Sequence, residues 1–200
     1  MRALIMAGGA GSRLSLGEKP LTLVCGSPMI SRVIDAFRSA GCEPIVVVSL
    51  KTPMTANWCR AQGIAVVRTQ GNGYVEDMVS AVRDLDEDNP LIISVSDIPC
   101  ITPAIITTIL HSYDRCGTDA LSTWVPAHRV KSCHGGMPYY KQVGNVDACP
   151  AGVNILRGDC IGTEQDEFAL LLDEPRLALN VNTREDLART EAFLTDDPGR

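Results

Sequence analysis

A chain of 200 residues, 45% hydrophobic and 21% charged, is long enough for one domain with a full core and too apolar to be disordered. With 4% aromatic residues and a net charge of −6, it lacks both the stacking platforms and the basic footprint of a nucleic-acid binder. The same charge repels anions at long range, so any phosphate site must be built locally from backbone N–H groups and a few cations.

Residues 2–6, Arg-Ala-Leu-Ile-Met, form an apolar run too short for a signal peptide, and they read as a first strand that breaks at glycines. Residues 28–40 carry Ile30, Val33, Ile34 and Phe37 at helical spacing, with Gly41 as the stop. Residues 44–49 are a buried strand, 53–61 a helix closed by Gly63, and 64–67 a further strand. A helix over 74–85 places Val75, Met78, Val79 and Val82 on one face. An apolar strand over 91–96 is followed by a helix over 103–113 and a strand over 120–125. Residues 126–150, with Gly135-Gly136, Pro138, Tyr139-Tyr140 and the cations Arg129, Lys131 and Lys141, read as a flap over a cleft. The tyrosine pair serves either that cleft or the core. Beyond it the pattern predicts a strand over 151–156, a helix over 163–172 and a strand over 178–181. Thr183 then caps a closing helix, with Asp186 three residues on, and 196–200 are a loose tail.

Apolar strands alternating with amphipathic helices make this an α/β chain, one domain over residues 1–195, with a mainly parallel sheet covered on both faces. Ligands in such sheets sit beyond the carboxyl ends of the strands, so the loops after the first strand and at Asp97 converge on one site. No apolar run reaches membrane-span length, and a cytoplasmic location is expected. The eight cysteines include no C-x-x-C pair, which disfavours zinc and redox motifs; most read as small buried residues.

The first loop, Ala7-Gly8-Gly9-Ala10-Gly11-Ser12-Arg13, followed by Glu18-Lys19-Pro20, has the makings of a phosphate cradle. Glycines let backbone approach phosphate oxygens, Arg13 can fork onto them and Lys19 adds a point charge. It is neither a Walker A loop, which ends Gly-Lys-Ser/Thr, nor a dinucleotide fingerprint, which needs glycine where Leu14 stands. Asp97, in Val-Ser-Asp-Ile-Pro at a strand's end, suits a Mg²⁺ ligand, since Mg²⁺ is commonly held by one or two carboxylates plus phosphates. A cap of the next helix is the weaker reading, because Asp97 lies too far upstream.

These motifs, from Leu4 to Leu14 with Glu18 to Leu21, resemble the signature of the MobA-like nucleotidyltransferase superfamily. The resemblance implies a Rossmann-like, three-layer αβα fold of the nucleotide-diphospho-sugar transferase type. It also implies transfer of a nucleotidyl group to a phosphorylated acceptor. It assigns Ala7, Gly8, Gly9, Gly11, Ser12, Arg13 and Lys19 to the nucleotide, with Arg13, Lys19 and Asp97 as the catalytic set. Asn182, in Asn-Val-Asn-Thr, would join Asp97 on the metal, or is a turn residue before the helix. Gly71, Asn72 and Gly73 lie where the superfamily holds its nucleobase, and Gly152 and Asn154 where the acceptor sits. The Gly-Pro-Leu-x-Gly of molybdenum-cofactor guanylyltransferases is absent. The Gly-x-Gly-Tyr-Val-Glu-Asp, Pro-Ala-Gly-Val-Asn and Asn-Val-Asn-Thr segments look like those of archaeal guanylyltransferases of cobalamin assembly. That implies GTP as donor, a corrinoid phosphate as acceptor, Mg²⁺ as cofactor and a homodimer. Two other readings remain, a nucleotidyltransferase for a smaller phosphorylated acceptor and a nucleotide sensor, which would be expected to lose Lys19 or Asp97.

Overall fold

The computed structural model describes residues 1–9, 11, 14, 17–130 and 139–196. Ser12, Arg13, the Cys133-His134 pair and most of the tail therefore lie outside the described residues.

The first half is a succession of strand and helix. Strand β1 (Arg2–Met6) leads through the glycine loop to a short hairpin, β2 (Leu23–Val24) and β3 (Ser27–Pro28), and then to α1 (Met29–Ser39). There follow β4 (Glu43–Ser49), α2 (Pro53–Ala61), β5 (Ala65–Thr69), α3 (Tyr74–Asp84), β6 (Pro90–Val95) and α4 (Pro103–Cys116). Helix α4 runs beyond its predicted end because Gly117, in the left-handed region, supplies the stop. The rest is β7 (Ala120–Pro126), β8 (Lys141–Val143), β9 (Val146–Arg157), β10 (Glu167–Leu171) and α5 (Arg184–Asp196).

The main sheet is mixed, in the order β10-β7-β9-β6-β1-β4-β5, with β8 paired to β9. Strands β5, β4, β1 and β6 are mutually parallel, and β9 enters antiparallel between β6 and β7. Ile30, Phe37, Ala56, Cys59 and Ile106, from α1, α2 and α4, cover one face. Met78, Ala81 and Val82 of α3 cover the other, over Leu4, Val47 and Ile93. Each large side chain removed from water here contributes about 1.5–3 kcal/mol. The result is the expected three layers. Since β1 leads to β4 on one side and is flanked by β6 on the other, the carboxyl end of β1 is the switch point where a cleft opens.

Two predicted elements are corrected. Residues 163–172 are not a helix: Glu167–Leu171 pair in parallel with Ala120–Trp124 at the sheet edge. The free edge of β7 offered backbone partners, and tertiary pairing overrode local propensity. Residues 178–181 are not a sheet strand either. A single 3₁₀ turn, Pro175–Ala178, leads into Asn180-Val181-Asn182, which belong to no strand. The segment read as a flap contributes β8 and the start of β9 as an antiparallel pair. Tyr139 and Tyr140 are 67% and 48% exposed, so they are not core residues. Cys42, Cys59, Cys100 and Cys149 are buried, whereas Cys25, Cys116 and Cys160 are partly exposed. No helix among the described residues is long and apolar enough to cross a membrane.

Candidate active site

A cleft of about 380 Å³ opens at the carboxyl ends of β1, β4, β5 and β6. Gly8, Gly9 and Gly11 of the first loop line it, with Lys19, Lys51, Gly71, Gly73, Tyr74, Asp77, Ser96, Asp97 and Asn182 around them. The sheet thus brings residues from widely separated motifs to one place. Ala7 does not line the cleft; it is buried, and its N–H donates to the Val47 carbonyl at 2.8 Å, extending the sheet.

The floor is a network around Lys19. Its Nζ donates to Asp97 Oδ2 in a close ion pair and to Asn182 Oδ1 at 2.8 Å. Asn180 Nδ2 donates to the other Asp97 oxygen at 3.0 Å, and Asn182 Nδ2 to Asn180 Oδ1. The side chains of these three consecutive residues alternate between two environments, as they do along a strand. Asn180 and Asn182 face Asp97, while Val181 between them is fully buried with Leu14, Met29 and Leu194. The Val181 N–H donates to the Asp97 carbonyl at 2.9 Å, which locks the two segments together. Thr183 and Asp186 then form the anticipated reciprocal cap. Asp186 Oδ2 accepts from Thr183 N–H at 2.9 Å and Asn182 N–H at 3.1 Å, while Asp186 N–H donates back to Thr183 Oγ1 at 3.2 Å.

Lys19 is held in place from two directions. Gly11, at φ +58°, passes so close that a Cβ there would lie 2.3 Å from Lys19 Cβ, so only glycine fits. Glu18 caps α2 in place of the helix's own N-cap, Thr52. It accepts from the N–H groups of Met54 and Thr55, both at 2.7 Å, and from the Thr55 hydroxyl at 2.6 Å. Glu18→Ala is expected to cost about 1–2 kcal/mol. In a chain of this size that lowers Tm by about 2–8 °C, and activity falls with it as Lys19 loses its support. A melt combined with a steady-state assay checks this, and an unchanged Tm would refute the cap.

Sequence reasoning passed over Ser49, Lys51, Asp77 and the part played by Asn180. Ser49 Oγ donates to the Gly8 carbonyl at 2.6 Å, and Lys51 Nζ to the Gly71 carbonyl at 2.7 Å. Ser49 ends the apolar strand beside β1, which was a usable signal; Asp77 and Asn180 carried none beyond their motifs. Asn72 does not line the cleft, and its N–H is bound to Asp77 Oδ1 at 3.3 Å. Desolvation, reinforced by the charge of Asp97, pushes the Tyr74 phenol up to about 12 although the residue is 43% exposed, so it remains a neutral donor.

Gly152 and Asn154 lie beside the cleft rather than in it, on a bulge of β9. The register advances two residues on β7, from Ser122 to Trp124, against four on β9, from Asn154 to Pro150. Gly152, at φ +76°, takes up the extra chain, and a Cβ there would lie 2.6 Å from Val95 Cγ2. Next to the bulge, Trp124 stacks obliquely on Tyr139 at 6.0 Å, with Lys141 Nζ 5.3 Å from the Trp124 ring.

A family model described as the MobA-like NTP transferase domain matches residues 3–185. The chain belongs to the MobA-like NTP transferase family. It is a nucleotidyltransferase, and its similarity to guanylyltransferases supports nucleotidyl transfer as its reaction class. The transferase is 30% identical to the adenosylcobinamide-phosphate guanylyltransferase of Methanocaldococcus jannaschii, covering 98% of this chain and 99% of that one. It is 28% identical to the 2-phospho-L-lactate guanylyltransferase of Methanosphaerula palustris, over 80% and 67% of the two chains. Among solved structures, CMP:2-keto-3-deoxy-manno-octonic acid synthetase complexed with CTP superposes with a TM-score of 0.71. That match has 19% identity and covers 97% of this transferase and 98% of the other chain, which supports the fold.

Proposed function

We propose that the transferase moves GMP from GTP to adenosylcobinamide phosphate, giving adenosylcobinamide-GDP and pyrophosphate in cobalamin assembly. The observation that carries this reading is the near full-length similarity to the M. jannaschii enzyme of that name. The first-loop glycines would take the triphosphate against their backbone, with Arg13 and Ser12 of the same loop assigned to it by sequence. An oxygen of the acceptor phosphate attacks the α-phosphorus in line; the new P–O bond forms as the bond to the β-phosphate oxygen breaks, and pyrophosphate leaves.

No protein nucleophile is needed, so the residues act by positioning and by neutralising charge. Lys19 has three donors, two of them engaged by Asp97 and Asn182, which leaves one for a phosphate oxygen. A single carboxylate with one neighbouring amide oxygen, that of Asn182, does not make a complete protein cage for a cation. It does fit Mg²⁺ shared with substrate phosphates, with Asp97 and Asn182 as the protein ligands. Bound there, Mg²⁺ would supply Lewis-acid stabilisation of charge on the phosphates. Gly152 and Asn154 would meet the acceptor, and the exposed Tyr139 and Lys141, packed over the buried Trp124, offer an amphipathic surface beside them for a large one.

The test is pyrophosphate release with each of the four ribonucleoside triphosphates, with and without cobinamide phosphate. Acceptor-dependent release with GTP alone is expected. Release only with a smaller phosphorylated acceptor, such as 2-phospho-L-lactate, would replace the corrinoid, and GTP binding without turnover would leave a sensor.

A further inference from the structure

Asp77 is 8% exposed, one turn into α3, and it lines the cleft. A carboxylate at that depth needs hydrogen-bond donors. One oxygen has them: Oδ1 accepts from the N–H groups of Gly71 at 3.0 Å and Asn72 at 3.3 Å. Lys51, the cleft's other described cation, places its Nζ on the Gly71 carbonyl instead. Asp77 Oδ2 has no hydrogen-bond partner among the described residues and is not sealed from solvent, so it is left to accept from whatever fills the cleft.

Its position says which part of a nucleotide it would meet. The order β6-β1-β4-β5 separates the carboxyl ends of β6 and β5 by three strand spacings, about 14 Å. Asp97 and Lys19 stand at the β6 end, and Asp77 belongs to the loop and helix that follow β5. With the phosphates at Lys19, the far side of the cleft is left for the base.

We propose that Asp77 reads the nucleobase and selects guanine. The N1–H and 2-amino group of guanine stand side by side as donors, and both can converge on the free oxygen. Adenine and cytosine turn a ring-nitrogen acceptor towards it, and uracil offers one donor between two carbonyls. A buried carboxylate left facing an acceptor is the arrangement that discriminates most strongly between ligands. The inference rests on GTP being the donor.

Equilibrium binding of GTP, ITP, XTP and ATP to the full chain, without acceptor, tests it. The wild type is expected to bind GTP about ten-fold or more tighter than ITP, which lacks the 2-amino group, and to ignore XTP. Asp77→Asn is expected to lose GTP binding by about 100-fold and, with a donor now facing the guanine N1–H and 2-amino group, to bind GTP no tighter than ITP. The asparagine oxygen can still accept from Gly71 and Asn72, so the loop keeps its support while the reading atom changes from acceptor to donor. If Asp77→Asn weakens all nucleotides alike and keeps the preference for GTP over ITP, Asp77 only fixes the loop and the assignment is overturned. Equal GTP and ITP affinities in the wild type overturn it without recourse to any variant. A wild type that prefers another triphosphate overturns the guanylyl reading itself, an outcome distinct from the loss of the Asp77 assignment alone.

Discussion

Lys19→Met is expected to lower kcat by about 10²–10³-fold, the usual loss when one preorganised donor to a developing negative charge is removed. Methionine keeps much of the length and apolar stem of lysine, so the packing against Gly11 survives while the ammonium does not. The change also leaves Asp97 without its ion-pair partner, in a site where both side chains are about 15% exposed. Its electrostatic effect is therefore larger than that of a surface lysine, where ion pairs contribute little. Steady-state rates at saturating nucleotide and acceptor check this. Lys19→Arg restores charge but not the compact three-donor geometry, and it should recover only part of the loss. Near-normal turnover in Lys19→Met would remove Lys19 from the mechanism.

Asp97→Asn should be at least as damaging, again by about 10²–10³-fold at physiological Mg²⁺, because it removes the carboxylate assigned to the cation and the counter-charge of Lys19 together. The contacts that place the residue do not depend on its charge. Its carbonyl still accepts from Val181 N–H, and an amide oxygen can still meet Asn180 Nδ2. The fold should therefore persist, and the circular dichroism melt should move little. Raising Mg²⁺ is expected to recover part of the rate, since a neutral ligand binds the cation more weakly rather than not at all. Full activity of Asp97→Asn at limiting Mg²⁺ would refute the assignment. Lys19 and Asp97 act as a unit, so the Lys19→Met/Asp97→Asn double variant should lose about as much as either single one, far less than the product.

Glu18 shows how the two predictions are linked to stability. A carboxylate that caps α2 from the preceding segment ties the helix to the turn carrying Lys19, so a perturbation of either reaches the other. Activity and Tm should therefore fall together at Glu18 and separately at Asp97. That contrast distinguishes a residue that supports the site from one that is part of it.

Local signals carried much of the architecture into the sequence. Apolar runs ending in glycine or in Asp-Ile-Pro marked the strand ends that line the cleft, and Thr183 with Asp186 marked the start of α5. The pairing of β10 was not legible, because Phe168, Leu170 and Leu171 suit a helix or an edge strand and only the open edge of β7 chose between them. Tyr139 and Tyr140 could have been core or surface by composition, and their exposure followed from the hairpin that carries them.

By itself the sequence determined the alternation of strands and helices, the glycine loop with Lys19 behind it, and the isolated carboxylate at Asp97. Each depends on neighbours a few residues away, and short-range spacing records such dependence directly. Only the tertiary structure decided that Asn180 braces Asp97, that Glu18 caps a helix from 36 residues away, and that Asp77, holding the Gly71 and Asn72 N–H groups on one oxygen, lines the cleft. These contacts join segments that meet because the sheet order brings their ends together, and strand order is a property of the whole chain.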